Sequence, residues 1–380
     1  MPVRAGNPQY IYVRLQSKTL TAFWGVPTVM DGHVLLPDSY YKQPQRRYPV
    51  MYWIQGFDGY GNPDEGETLA WQRAMRAFHA EFILVFLDGM FKGGHQEFAD
   101  SANNGPWGTA LTTEFIPQTE THFRAIGLPS ARFVAGHSSG GWSALWLQIT
   151  YPDLFAGEWS VSPDPVDFRD FWGVDLTATP AKNFYASTWH PTDQVEAPSS
   201  LVYDSRWGRR QFASFNSVFS PRGSDGTPEP LFDWKTGSID PVVARYWDEH
   251  YDISRIVREN WQVLQPKVRA KLHIFVGTND NFHLNDPVVL FEKELLDLGS
   301  DAEIQLVRGR DHWSIFDADG DLRSYIFKEA VQLEGASAAA SGADPSWANA
   351  AHRVSNAPCL GVHRALSING HLRSCETQSC

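Results

Sequence analysis

Ala131-Arg132-Phe133-Val134-Ala135-Gly136-His137-Ser138-Ser139-Gly140-Gly141-Trp142-Ser143-Ala144-Leu145-Trp146-Leu147 is the stretch on which the fold turns. It begins as a short apolar run of strand character and ends in a helical pattern, with Gly-x-Ser-x-Gly between them. A strand that turns at once into a helix leaves no room for side chains beside the turn, so glycines must flank the serine. The serine then projects at a helix N-terminus, where backbone N–H groups have no intrahelical partner and can donate to a developing oxyanion. This is the setting of a nucleophilic serine. The motif by itself is weak, because a glycine-rich turn with an incidental serine has the same spacing.

The flanking chain supplies the rest of the pattern. Strand-like runs fall at 10–15, 28–36, 50–55, 82–87, 132–135, 158–161, 272–276 and 303–307. Several are continuously apolar, such as Phe82-Ile83-Leu84-Val85-Phe86-Leu87, which marks strands buried on both faces of a parallel sheet. Helical periodicity fills the gaps at 68–79, 110–126, 141–150, 287–298 and 322–333. The alternation predicts a doubly wound, mostly parallel α/β sheet. Residues 163–266 break the rhythm and read as a lid-like insertion between core strands, with helical patterning over 242–261. Its tryptophans (Trp172, Trp189, Trp207, Trp234, Trp247, Trp261) fit an aromatic or carbohydrate-linked substrate, and equally a lid core. The expected division is a domain over 1–334 and an Ala/Ser-rich, disordered or accessory tail over 335–380.

Composition narrows the function classes. Apolar residues make up 42% and charged residues 20% of 380, enough for a large core and too little charge for global disorder. A net charge of −12 argues against a nucleic-acid partner and against an anionic membrane surface. No apolar stretch approaches the ~20 residues of a membrane span. The N-terminus lacks a visible hydrophobic signal segment, so a cytoplasmic location is expected, with secretion of a processed chain as the alternative. Cys359, Cys375 and Cys380 all lie near the C-terminus, which leaves the body without disulfides or thiolate metal sites. There is no H-E-x-x-H, no phosphate-loop signature and no dinucleotide fingerprint. Asp317-Ala318-Asp319-Gly320-Asp321 hints at a calcium loop, but Lys328 stands where the last ligand should be Glu, and the run reads better as a helix start. No metal and no cofactor are expected.

A serine needs a base, and the base an orienting acid. Asp280 follows the strand run 272–276, and His312 follows 303–307, just before the last helical segment. The order Ser138, Asp280, His312, each at a C-terminal strand edge, is the expected triad. Asp286 and Asp311 are rival acids; Asp311 is adjacent to the histidine in sequence, and Asp286 reads as the N-cap of a helix opened by Pro287. His283 is a rival base. The oxyanion donors are expected to be the N–H groups of Ser139 and of Phe57, the latter in the loop Gln55-Gly56-Phe57-Asp58-Gly59.

At these residues the chain resembles the "putative esterase" family of α/β-hydrolases, which includes feruloyl esterases, enterochelin esterases, S-formylglutathione hydrolase and the mycolyltransferases. The resemblance rests on Tyr48–Phe57, Glu114-Phe115-Ile116-Pro117, Gly136–Gly141, Tyr151-Pro152-Asp153-Leu154-Phe155, Ser162-Pro163-Asp164, Asp280 and Asp311-His312, and covers roughly residues 30–330. It implies an α/β-hydrolase fold and a cofactor-free Ser-Asp-His hydrolase acting on a small-molecule ester through an acyl-enzyme. Acyl transfer to an alcohol or sugar, as in the mycolyltransferases, and a non-catalytic binding protein on the same scaffold are the alternatives. Members commonly carry His-Gly in the oxyanion loop, whereas this chain has Gln55-Gly56, a change of local polarity that leaves the backbone donor in place. The segment 100–107 resembles a pocket-lining loop, which makes Ser101, Asn103 and Trp107 candidate substrate contacts.

Overall fold

The computed structural model describes residues 9–181, 183–186, 211–317 and 321–341. Each strand-like run of the sequence becomes a strand of one eight-stranded sheet. They are β1 (Tyr10–Ser17), β2 (Thr28–Leu35), β3 (Val50–Ile54), β4 (Ile83–Leu87), β5 (Arg132–His137), β6 (Gly157–Val161), β7 (Leu272–Gly277) and β8 (Glu303–Val307). Their spatial order is β1-β2-β4-β3-β5-β6-β7-β8. β2 runs antiparallel to both β1 and β4, and every later pairing is parallel. β3 to β7 are buried along their whole length; β3 and β4 are unbroken apolar runs, whereas β5, β6 and β7 also bury polar residues such as Arg132, Glu158 and His273, and β8 is a half-buried edge. This is the α/β-hydrolase fold.

Helices cover both faces. α1 (Lys18–Trp24) is capped by the Ser17 hydroxyl and ends at Gly25 in the left-handed region. α2 (Glu65–Ala77) starts from Asp64, whose carboxylate accepts from Glu67 N at 2.8 Å. The segment expected as one helix over 110–126 is α3 (Trp107–Ala110), a π turn at Leu111–Phe115, and α4 (Ile116–His122). α5 (Ser139–Thr150) begins directly after the motif serine. The last helix, α10 (Leu322–Ser341), starts where Asp321 Oδ1 accepts from Arg323 N and runs past residue 335, into the stretch read as a tail. Beyond the single Gly335, alanine and serine extend a helix at little cost, and that is the physical reason for the longer element.

Within the insertion lie α6 (Gln211–Phe219), α7 (Pro241–Tyr251) and α8 (Ile253–Val268). The continuous pattern over 242–261 is split at Asp252, which caps α8 through Arg255 N and reaches Phe168 N with its other oxygen. Phe168, Phe171, Trp172, Phe212, Phe215, Phe219 and Trp247 are buried against one another, so Trp172 and Trp247 are core residues of the insertion. Trp189 and Trp207 lie outside the described residues. α9 (Asn285–Asp297) follows β7 and begins earlier than Pro287. Among the described residues, no helix is long and apolar enough to cross a membrane.

Candidate active site

β5 delivers Ser138 into a conformation that only a forced turn explains: φ 59°, ψ −125°. A non-glycine residue held there costs about 1–3 kcal/mol, which surrounding contacts must offset. They do so through Ser138 N, which donates to Val161 O at 2.9 Å, and through Ser138 O, which accepts from Trp142 N at 3.0 Å. Both motif glycines are sterically obligatory. A Cβ on Gly136 would meet Gly140 O at 2.1 Å, and one on Gly140 would meet Ile54 O at 2.0 Å. Ser138 occupies the N-cap position of α5, yet its hydroxyl makes no capping hydrogen bond.

The candidate acid and the candidate base lie side by side. His312 Nδ1 lies 2.9 Å from Asp280 Oδ2, and both residues are buried. Asp280 is itself held, since its Oδ1 accepts from Phe282 N at 2.9 Å. Gly277 ends β7 where a Cβ would strike Arg310 O at 2.2 Å, so the two loops pack directly together. Nδ1 is engaged by the carboxylate, which leaves Nε2 as the basic nitrogen. No hydrogen bond joins Ser138 Oγ to His312 Nε2 among the described residues; contacts of this kind commonly close only in the Michaelis complex.

The loop after β3 lies against the serine. A Cβ on Gly56 would sit 2.8 Å from Ser138 Cβ and 3.5 Å from its Oγ. Only glycine allows that approach, and Gln55 O lies 2.7 Å from where a Cβ on Gly140, in the first turn of α5, would sit. Gly59 N donates to Gly56 O at 2.9 Å and closes the loop into a tight turn. The expected donors, Phe57 N and Ser139 N, thus come from two loops that converge on Ser138.

The remaining candidates are differently employed. Ser101 Oγ donates to Ser217 O, Asn103 Nδ2 to Ser220 O, and Trp107 Nε1 to Asn104 O, so their donors serve to seat the insertion and its neighbouring loop. Asp311 Oδ1 accepts from Trp313 N, Ser314 N and Ser314 Oγ, which hold its carboxyl below the usual range and spend it on a turn. His283 faces Asp286, Nδ1 to Oδ2 3.8 Å. Asp286 is a first-turn residue of α9 and not its N-cap, because the helix begins one residue earlier, at Asn285.

Several residues of this region have no role assigned from the sequence. His137 donates Nε2–H to His312 O at 2.9 Å, and the two rings lie 4.4 Å apart. Burial, and the neighbouring His312, hold the His137 imidazole well below its ordinary pKa, so it stays neutral beside the candidate base. Asn281 Oδ1 accepts from His312 N at 3.2 Å. Behind the elbow, Asp164 accepts from Ser139 Oγ at 2.5 Å and from Gln211 Nε2 at 2.9 Å. Close by, His95 Nε2 bonds Gln55 O at 3.1 Å while its Nδ1 faces Glu97 at 3.2 Å.

Comparison with known proteins bears on the family and the fold. The family model described as "Putative esterase" matches residues 26–293, which include Ser138 and Asp280; His312 lies beyond its end. Two curated esterases of Mycobacterium tuberculosis are each 32% identical over 169 residues, 43% of this chain and 34% of theirs. The chain thus spans about a third of the length of the curated relatives it matches. A ferulic acid esterase structure superimposes with a TM-score of 0.53 at 16% identity, covering 85% of this chain and 98% of that one. FphF, a fluorophosphonate-binding serine hydrolase of Staphylococcus aureus, gives a TM-score of 0.51 at 15% identity, covering 86% and 98%. At such identities the likeness speaks for the fold, and the family match does the rest: an α/β-hydrolase sheet with a strained serine at its elbow places this chain in the esterase family.

Proposed function

We propose that the chain hydrolyses carboxylic esters of small molecules through an acyl-enzyme formed on Ser138. The observation that carries this reading is the buried His312–Asp280 pair at 2.9 Å, on loops adjoining a serine whose backbone is forced to φ 59°. In this reading His312 Nε2 takes the proton from Ser138 Oγ as the oxygen attacks the ester carbonyl. The tetrahedral oxyanion is held by the N–H groups of Phe57 and Ser139. Collapse expels the alcohol, which leaves with the proton from His312. Water then repeats the sequence on the acyl-enzyme and frees the acid. Asp280 fixes the imidazole tautomer and stabilises the imidazolium, without itself taking the proton.

The test is initial rates of wild type and Ser138→Ala on p-nitrophenyl acetate, p-nitrophenyl butyrate and methyl ferulate, together with fluorophosphonate labelling. Turnover and labelling that vanish in the variant support the reading, and the order of the three esters sizes the acyl pocket. Turnover retained in Ser138→Ala would refute it.

A further inference from the structure

His95, Glu97 and Asp164 are fully or almost fully buried, and the proposed chemistry uses none of them. Burying three titratable side chains together is costly unless each finds partners. Their partners define what they do. Gln55 O can only accept, so His95 Nε2 carries a proton and donates to it at 3.1 Å. Gln55 O belongs to the peptide immediately before Gly56-Phe57. Nδ1 of His95 lies within 3.2 Å of both Glu97 N and Glu97 Oε1. With Nδ1 accepting from Glu97 N, Glu97 Oε1 has no hydrogen-bond donor and is held beside the ring at ion-pair distance. Burial alone would lower the His95 pKa, but the Glu97 charge and bond, helped by Asp164, outweigh it and raise it.

Asp164 holds the other side. Its carboxylate accepts from the hydroxyl of Ser139, the residue whose N–H is the second oxyanion donor, and its own N–H donates to Ser138 O at 3.3 Å. Gln211 Nε2 reaches both Asp164 oxygens, at 2.9 and 3.1 Å. Gln211 is the first residue of α6, within the insertion. α6 is seated on the hairpin that bears His95. A Cβ on Gly93 would meet Ser217 Oγ at 2.5 Å, and one on Gly94 would meet Ser214 Cβ at 2.7 Å. Ser143 Oγ, one turn into α5, lies 3.2 Å from Glu97 Oε2 and ties the two halves together.

We propose that His95, Glu97, Asp164 and Gln211 are positioning residues that set the two oxyanion donors and are complete only when α6 is docked. The inference rests on the hydrolase reading and extends it: the insertion is coupled to the reacting centre through hydrogen bonds behind the elbow. Misplacement of preorganised donors lowers the rate of the chemical step without weakening ground-state binding.

The test compares wild type, Asp164→Asn and Gln211→Ala on p-nitrophenyl acetate, with active sites counted by fluorophosphonate titration. Asparagine puts a donor where Asp164 has an acceptor oxygen; alanine at 211 removes the link to α6. The expected result is a kcat per titrated site reduced roughly 10- to 100-fold, with KM within about twofold of wild type. A merely structural role would lower the melting temperature and the titrated fraction while leaving kcat per site unchanged. That outcome, or a loss confined to KM, overturns the inference and leaves the hydrolase reading standing. Should Asp164→Asn fail to fold, Gln211→Ala decides by the same readout. A wild type that neither labels nor turns over refutes the hydrolase reading, and the inference falls with it.

Discussion

Two buried histidine–carboxylate pairs lie close to the same serine, and they differ in what the second ring nitrogen meets. His312 approaches Asp280 at 2.9 Å through Nδ1, and its Nε2 takes no hydrogen bond among the described residues. His95 approaches Glu97 at 3.2 Å, also through Nδ1, but its Nε2 is bonded to Gln55 O. An imidazole with a free basic nitrogen can accept and return a proton. One fixed to a backbone carbonyl can only hold that carbonyl in place. In the proposed reading the same chemical pair serves proton transfer in one place and loop geometry in the other, and the surroundings of one atom decide between them.

That contrast can be broken by substitution. The largest effect belongs to the reacting side: Ser138→Ala or His312→Ala should cost about 10⁴- to 10⁶-fold in kcat on p-nitrophenyl acetate, with an unchanged circular dichroism spectrum. Asp280→Asn comes next, at about 10³- to 10⁴-fold, because it presents the wrong partner to Nδ1. A comparable loss on replacing Glu97 would erase the distinction between the pairs. Glu97→Gln is instead expected to reduce kcat by about tenfold, read as kcat per fluorophosphonate-titrated site.

The smallest effect sharpens the comparison with an acid that has no histidine beside it. Glu334 on α10 is buried, its Oε1 has no hydrogen-bond partner, and burial pushes its carboxyl to about 8. Its folded-state pKa stands above the ordinary value of 4.5, so the native state keeps a proton that the unfolded chain releases. Stability from this group is present below about 4.5 and lost as pH rises through about 8. Glu334→Gln should therefore raise the melting temperature at pH 8.5, by about 1–2 kcal/mol of stability, and change little at pH 4. A variant less stable at both values would show that the carboxyl is not protonated in the fold. Asp164, pushed to about 7 by burial and by Glu97 against the bonds from Ser139 and Gln211, adds to the same fall in stability, between about 3.8 and 7.

The sheet and the triad candidates were legible for a common reason. A strand buried on both faces is mostly apolar, so runs such as 83–87 announce themselves, and residues just past such runs are placed at one edge of the sheet. Ser138, Asp280 and His312 each follow a strand and could be ordered from the chain alone. The π turn at Leu111–Phe115 and the break at Asp252 were not legible, because apolar periodicity continues through both. The segment holding Ser101, Asn103 and Trp107 suggested a pocket. Whether its donors faced outward or toward the insertion depended on where Ser217 and Ser220 were packed.

Local sequence thus determined the elements, the elbow and the order of the candidate acid and base, since each follows from sterics and burial within a few neighbouring residues. Tertiary structure alone decided which histidine keeps a free nitrogen, and that Gln55, His95, Asp164 and Gln211 converge behind the serine. Those residues are far apart along the chain. Hydrogen bonds that cross such separations leave no periodic trace, because they are fixed by the packing of whole elements and not by the preferences of the residues between.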